Sequence, residues 1–275
     1  SLMKAFQGLV EVVASLKENY AHVTCMRPYV SYGAGLARLC DALAVMSEEH
    51  PLPLPDIHPG RLFADMQRLY FRRAHSFLIP RSKLSNAVGM APEAALGAPY
   101  PGAEHYPWYL YHDSAGWRYG LISALATTPR HRFHALPQDL PEGDRAFAVK
   151  WLAWERKYLA DRLFVEEILA EPGLGEVDGY SYATAQGAVL FLFNTSYDPR
   201  EVHLRLHLKH DLEYIVREIH PRKYNYLGPN DGLFTRDSEL SCLLEPKEAR
   251  ISRWCAARRR RPGAIANGAV ADEGA

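Results

Sequence analysis

Residues 171–194 read EPGLGEVDGYSYATAQGAVLFLFN, and the hydrophobic period changes across them from 3.6 to 2. Upstream, Glu142–Leu169 (EGDRAFAVKWLAWERKYLADRLFVEEIL) carries apolar residues at helical spacing; it starts just after Pro141 and is closed by Pro172 and Gly173. One long helix is expected there. Downstream, GYSYA, AVLFLFN, EVHLRLHL, YIVREIHP, ELSCLLEP and ARISRW read as six short strands. Turn residues separate them, among them Asn194-Thr195-Ser196, Asp198-Pro199 and the Gly228-Pro229-Asn230-Asp231-Gly232 cluster. An all-β module is expected over residues 171–256, most simply an antiparallel β-sandwich. From residue 257 to 275 the apolar pattern is lost, and a disordered tail is expected, its RRRR run a solvated terminus.

Residues 1–170 alternate helix and short strand. Leu2, Phe6, Leu9, Val10, Val13 and Leu16 recur at helical spacing and predict a helix over 2–19. Strands are expected at 22–26 and 39–46, a helix at 61–75 and an extended segment at 77–84. Residues 87–112, rich in Pro, Gly and Tyr, read as a long irregular loop, which is often functional. A helix at 117–126 and a strand at 132–136 complete the series. Such alternation predicts parallel strands with crossover helices. A closed eight-stranded barrel takes about 250 residues, so the fold class expected is α/β plus all-β: at most half of a barrel, then the β module.

Composition narrows the partners. Lys+Arg and Asp+Glu are both 32 among 275 residues, so the net charge is zero and no global field favours nucleic acid or a membrane surface. Cys25, Cys40, Cys242 and Cys255 form no CxxC pair, and no apolar run reaches the roughly 18 residues of a membrane span. The sequence opens with Ser1 inside helical periodicity, which suggests a fragment and leaves the compartment open.

Barrels of this class gather their chemistry where strands end. The post-strand residues are Cys25-Met26-Arg27-Pro28, Ser47-Glu48-Glu49 and Ser85-Asn86. A carboxylic acid can protonate a glycosidic oxygen, and Arg or amide groups can hold sugar hydroxyls. The competing reading of Glu48 and Glu49 is that of ordinary loop charges. His131 and His134 in HRFH lack the partners of a closed metal site. His203 and His207 would lie roughly 13 Å apart along a strand, too far to share an ion. The aromatic run Tyr106–Tyr111 (YPWYLY) suits core packing or sugar stacking, and Trp151 and Trp154 suit the core.

CMRPYVSYGAGLARLCDALAVMSEEHP resembles the fifth-to-sixth strand region of retaining α-galactosidase-like glycoside hydrolases. There a Cys-containing sugar-binding loop precedes a strand ending in Ser-Asp-Asp, and Ser47-Glu48-Glu49 takes that place here. RLFADMQRLYFRRAHSFLIPRSKLSNAV resembles the next helix and strand of those barrels, and ATTPRHRFHALPQDLPEGDRAFAVKWLAWERKY their last strand and closing helix. GEVDGYSYATAQGAVLFLFNTS through ARISRW resembles their C-terminal β-sandwich.

The resemblance implies a partial (β/α)8 barrel over residues 1–170, about its last four βα units. It implies a carbohydrate substrate, a retaining mechanism, and no cofactor or metal. Glu48 stands where the family has its acid/base, with Glu49 next to it; Cys25, Arg27 and Asn86 would contact substrate, and Asp41, within its strand, would give polar support. Three departures follow. The glycine run of the family's Cys loop is absent after Cys25. Glu48 is one methylene longer than the family's Asp, and the family's nucleophile would lie before Ser1. Retaining hydrolysis needs two carboxyl groups about 5–5.5 Å apart, so the chain alone is expected to be silent. The alternative is a non-catalytic carbohydrate-binding or structural protein on a degenerate hydrolase scaffold. Unpaired barrel edges would favour a homo-oligomer.

Overall fold

A computed structural model describes residues 23–26, 42–45, 59–76, 84–88, 114–133, 138, 140–160, 164–173, 175–184, 187–205, 212–223, 225–227, 233–235 and 238–257. Four strands, β1 (Val23–Met26), β2 (Ala42–Val45), β3 (Leu84–Val88) and β4 (His131–Phe133), form one sheet in that order. Every pairing in it is parallel. Helix α1 (Pro59–Ser76) connects β2 to β3, and α2 (Ser114–Thr127) precedes β4. This is the crossover arrangement expected from alternation. The expected helix over 2–19 and the loop beyond Val88 lie outside the described residues.

The α2 segment SAGWRYGLISALAT is apolar nearly all round, and its residues from Gly116 to Thr127 are buried accordingly, Arg118 excepted. Helix α3 (Glu142–Tyr158) is amphipathic, with Glu142 and Asp144 in its first turn and Arg156 and Lys157 in its last, matching the helix dipole. Asp144 also accepts from Ser114 Oγ at 2.7 Å and Arg118 Nε at 2.5 Å, fastening the start of α3 to α2.

The long helix expected over 142–169 ends at Tyr158. Residues Phe164–Leu169 are instead a strand, β5. Phe164-Val165-Glu166-Glu167-Ile168-Leu169 mixes strand-favouring residues with two acids, which suits a sheet edge, and β5 is an edge strand pairing antiparallel with β6 (Val177–Thr184). Arg72 of α1 meets Glu167 of β5 at 3.1 Å.

The remaining strands are β7 (Gly187–Asn194), β8 (Arg200–Arg205), β9 (Tyr214–His220), β10 (Asn225–Leu227), β11 (Glu239–Leu244) and β12 (Ala249–Ala256). They build a six-stranded sheet, β10-β9-β12-β7-β6-β5, and a two-stranded sheet, β11-β8. Strand β7 is central and buried on both faces, which explains its unbroken apolar sequence. Phe191 and Phe193 pack toward α2 and α3 with Trp117, Leu121 and Trp151. Leu190 and Leu192 pack on the other side with Val202, Leu204, Leu240 and Leu244 of the two-stranded sheet and with Trp254. Trp151 is a core residue as expected; Trp154 is partly buried against the same cluster.

Candidate active site

The parallel register sets Met26 beside Val45, so β1 and β2 end at one level of the sheet. Arg27 is the next residue after β1, and Glu48 and Glu49 are the third and fourth after β2. Arg27, Glu48 and Glu49 lie outside the described residues, as does Asp41, expected within its strand. Cys25 lies on β1, with Ala44 as its partner on β2.

Asn86 differs from expectation in position. It sits in the middle of β3 rather than after it, and is 2% exposed. Its Nδ2 donates to Thr127 Oγ1 at 2.7 Å, at the end of α2, and its backbone N–H donates to Arg130 O at 2.9 Å. Val88, two residues on and on the same face, belongs to the core shared with α1 and α2. Asn86 therefore faces the helix layer and fixes the α2–β4 turn against β3. Its Oδ1 is buried without a partner among the described residues.

His131, the registered neighbour of Asn86, opens β4. Its Nε2 stands 3.0 Å from both carboxylate oxygens of Glu155 on α3. No local pattern points to this partner, which lies 24 residues away. Asn86 and His131 together tie β3 and β4 to the helices behind them. Among the described residues no group of three His, Cys, Asp or Glu side chains could hold a metal.

A buried polar cluster centres on Arg68. Arg68 of α1, fully buried, bonds to both carboxylate oxygens of Asp178 on β6, to Asp65 at 2.8 Å, and to Ser123 Oγ of α2 at 3.1 Å. Tyr119 of α2 donates to Asp65 at 2.6 Å, and the Arg68 guanidinium lies 3.9 Å from the Phe193 ring centre. Burial works against the Arg68 cation, but Asp178, Tyr119 and Asp65 outweigh it and raise its pKa. Burial lifts the Asp178 carboxyl above its ordinary range against the pull of Arg68. Its side chains are buried, and the cluster joins α1 and α2 to β6 of the antiparallel sheet. The one local signal for it was the i,i+3 spacing of Asp65 and Arg68.

No protein-family profile matches the sequence, and no curated protein matches it. Solved structures do resemble the fold. A GH27 β-L-arabinopyranosidase from Geobacillus stearothermophilus superposes with a TM-score of 0.59 at 10% identity, over 92% of this chain and 55% of that one. For α-galactosidase I from Mortierella vinacea the values are 0.57, 10%, 92% and 62%, and for an Anoxybacillus α-amylase 0.55, 12%, 94% and 57%. The chain thus spans little more than half the length of these structures. Their shared architecture makes the fold of this chain glycoside hydrolase-like.

Proposed function

We propose that these residues are the C-terminal part of a retaining glycoside hydrolase: about half of a (β/α)8 barrel, then a β-sandwich beginning near Phe164. The observation that carries this reading is the level register of β1 and β2. The two strands share a C-terminal end, the end at which barrels of this kind place their chemistry, and in the sequence Arg27 follows β1 directly while Ser47-Glu48-Glu49 follows β2 within four residues. The glycoside hydrolase neighbours support it at the level of fold.

In this reading the Glu48 carboxyl gives its proton to the glycosidic oxygen as the bond to the anomeric carbon breaks, and a second carboxylate bonds to that carbon. Water then releases the sugar, with Glu48 now taking a proton from it. The second carboxylate would come from a strand not contained in these residues. Arg27 and Cys25 would line the sugar site; Asn86, turned to the helices, would support the strands below it.

A second reading, a carbohydrate-binding protein without catalysis, is favoured by Glu48 itself. A side chain one methylene longer moves the carboxyl by about an angstrom, which can cost on the order of 100-fold in rate. Assaying the full gene product on nitrophenyl glycosides separates the two. Turnover that Glu48→Gln suppresses supports the enzyme. Sugar binding without turnover supports the binder, and absence of both overturns the whole assignment.

A further inference from the structure

Helix α3 turns two of its three acids inward. Asp144 accepts from Ser114 and Arg118, and Glu155 stands 3.0 Å from His131. The outward side keeps the cations. Arg145, Lys150, Arg156 and Lys157 are all exposed, and the remaining acid, Glu142, is the first residue of the helix. A surface helix commonly sets acid and base four residues apart on its outer side. Within α3 none of these four cations has an acid at that spacing.

Between the cations runs a line of small apolar side chains. Ala146, Val149 and Ala153 are exposed, Val149 at 64%. Their spacing of three and then four residues gives the heptad positions a, d and a. On that count Arg145 falls at g, Lys150 and Lys157 at e, and Arg156 at d. At 3.6 residues per turn the cations and the small residues share an arc of about 140°, along about 18 Å of helix. The face is thus a seam with cations on both flanks.

We propose that this face of α3 binds an acidic amphipathic helix of another protein. The partner's apolar seam lies along Ala146, Val149 and Ala153, and its flanking carboxylates meet Arg145, Lys150 and Lys157. Charges at e and g set partner choice between paired helices, and complementarity here selects an acidic one. A second copy of this chain is disfavoured, because its own cations would face these. A membrane is disfavoured too. Helices that lie in a bilayer surface insert Trp, Phe or Leu, whereas Trp151 is 1% exposed and Trp154 packs against the core. Small seam residues bury little area, so the contact is weak and salt-sensitive. The site stands on α3 alone, and its test reads binding, independently of the hydrolase reading.

The probe is a synthetic helix-forming peptide of about three heptads, with Leu at a and d and Glu at e and g, titrated calorimetrically into the full chain. The same peptide with Lys at e and g, and phosphatidylserine vesicles, are the comparisons. The Glu peptide should bind, more weakly as salt rises, and the Lys peptide should not. Lys150→Glu and Lys157→Glu should each weaken binding about threefold or more, and together about tenfold or more, while Arg200→Glu on β8 should leave it within about twofold. The Lys150→Glu/Lys157→Glu variant should instead take up the Lys peptide, a gain that damage to the fold would not produce. Absent binding of the Glu peptide, equal binding of the Lys peptide, tighter binding to vesicles, or an equal loss in Arg200→Glu would each overturn the proposal. Both lysines are exposed, and each single variant decides the question even if the double variant fails to fold.

Discussion

The guanidinium of Arg68 and the carboxylate of Asp178, 110 residues apart, meet in a two-point salt bridge with Nε–Oδ1 at 2.9 Å and Nη2–Oδ2 at 2.7 Å. Neither side chain is exposed. The bridge runs from α1, which crosses the parallel sheet, to β6 of the antiparallel sheet. Removing one partner leaves a buried charge poorly compensated, which costs about 3–5 kcal/mol. Asp178→Asn is expected near the lower end, because Asp65 still faces Arg68. Urea unfolding followed by tryptophan fluorescence should show the drop, and a change below about 1 kcal/mol would mean that the two regions do not depend on this bridge.

His220 predicts an acid-sensitive stability. Its ring packs edge-on to Trp151 and Phe147, 5.4 and 5.8 Å between centres, and burial, followed by the charge of Lys150, lowers its pKa from 6.5 to about 4. Above pH 6.5 neither folded nor unfolded chain protonates it, and its contribution is fully present. As pH falls from about 6.5 toward about 4, the unfolded chain takes up a proton that the folded chain refuses, so stability declines, by up to about 3 kcal/mol. Below about 4 both states are protonated and this component is flat. His220→Phe should remove the slope in that window, as measured by denaturant titrations at several pH values.

Gly187 has φ +141, and a Cβ there would lie 2.0 Å from the carbonyl oxygen of Trp254. Both objections act on β7, the central strand, so backbone relief would break the β7–β12 register. Gly187→Ala should cost about 3 kcal/mol or more. Retained melting temperature would show that the strand pair can open there without penalty.

The sequence was legible where burial and period agree. The runs AVLFLFN and YIVREIH announce β7 and β9 because one is covered on both faces and the other alternates. The α3 pattern is equally clear, but its rhythm runs past the end of the helix: Glu166 and Glu167 continue a helical charge spacing while pairing in an edge strand with Ser181 and Tyr180 respectively. Three-residue β10 is too short to show a period. Asn86 could be placed near a strand, but its orientation depends on register, and one position decides whether it faces the helices or the opposite side. The partners of His131 and Arg68 are set by folding across 24 and 110 residues, which no local pattern reports.

On the proposed function, Glu48 is the proton donor of a retaining hydrolase. The direct measurement is kcat/KM of the full gene product and its Glu48→Gln variant on a series of glycosides that differ in leaving-group acidity. A lost acid should slow substrates with poor leaving groups by a factor on the order of 100 or more, and activated aryl glycosides far less, since these need little protonation. Glu49→Gln should change both classes by similar, small factors. Equal losses for both classes in the Glu48 variant, or no loss at all, would contradict the account and leave Ser47-Glu48-Glu49 as a charged surface loop.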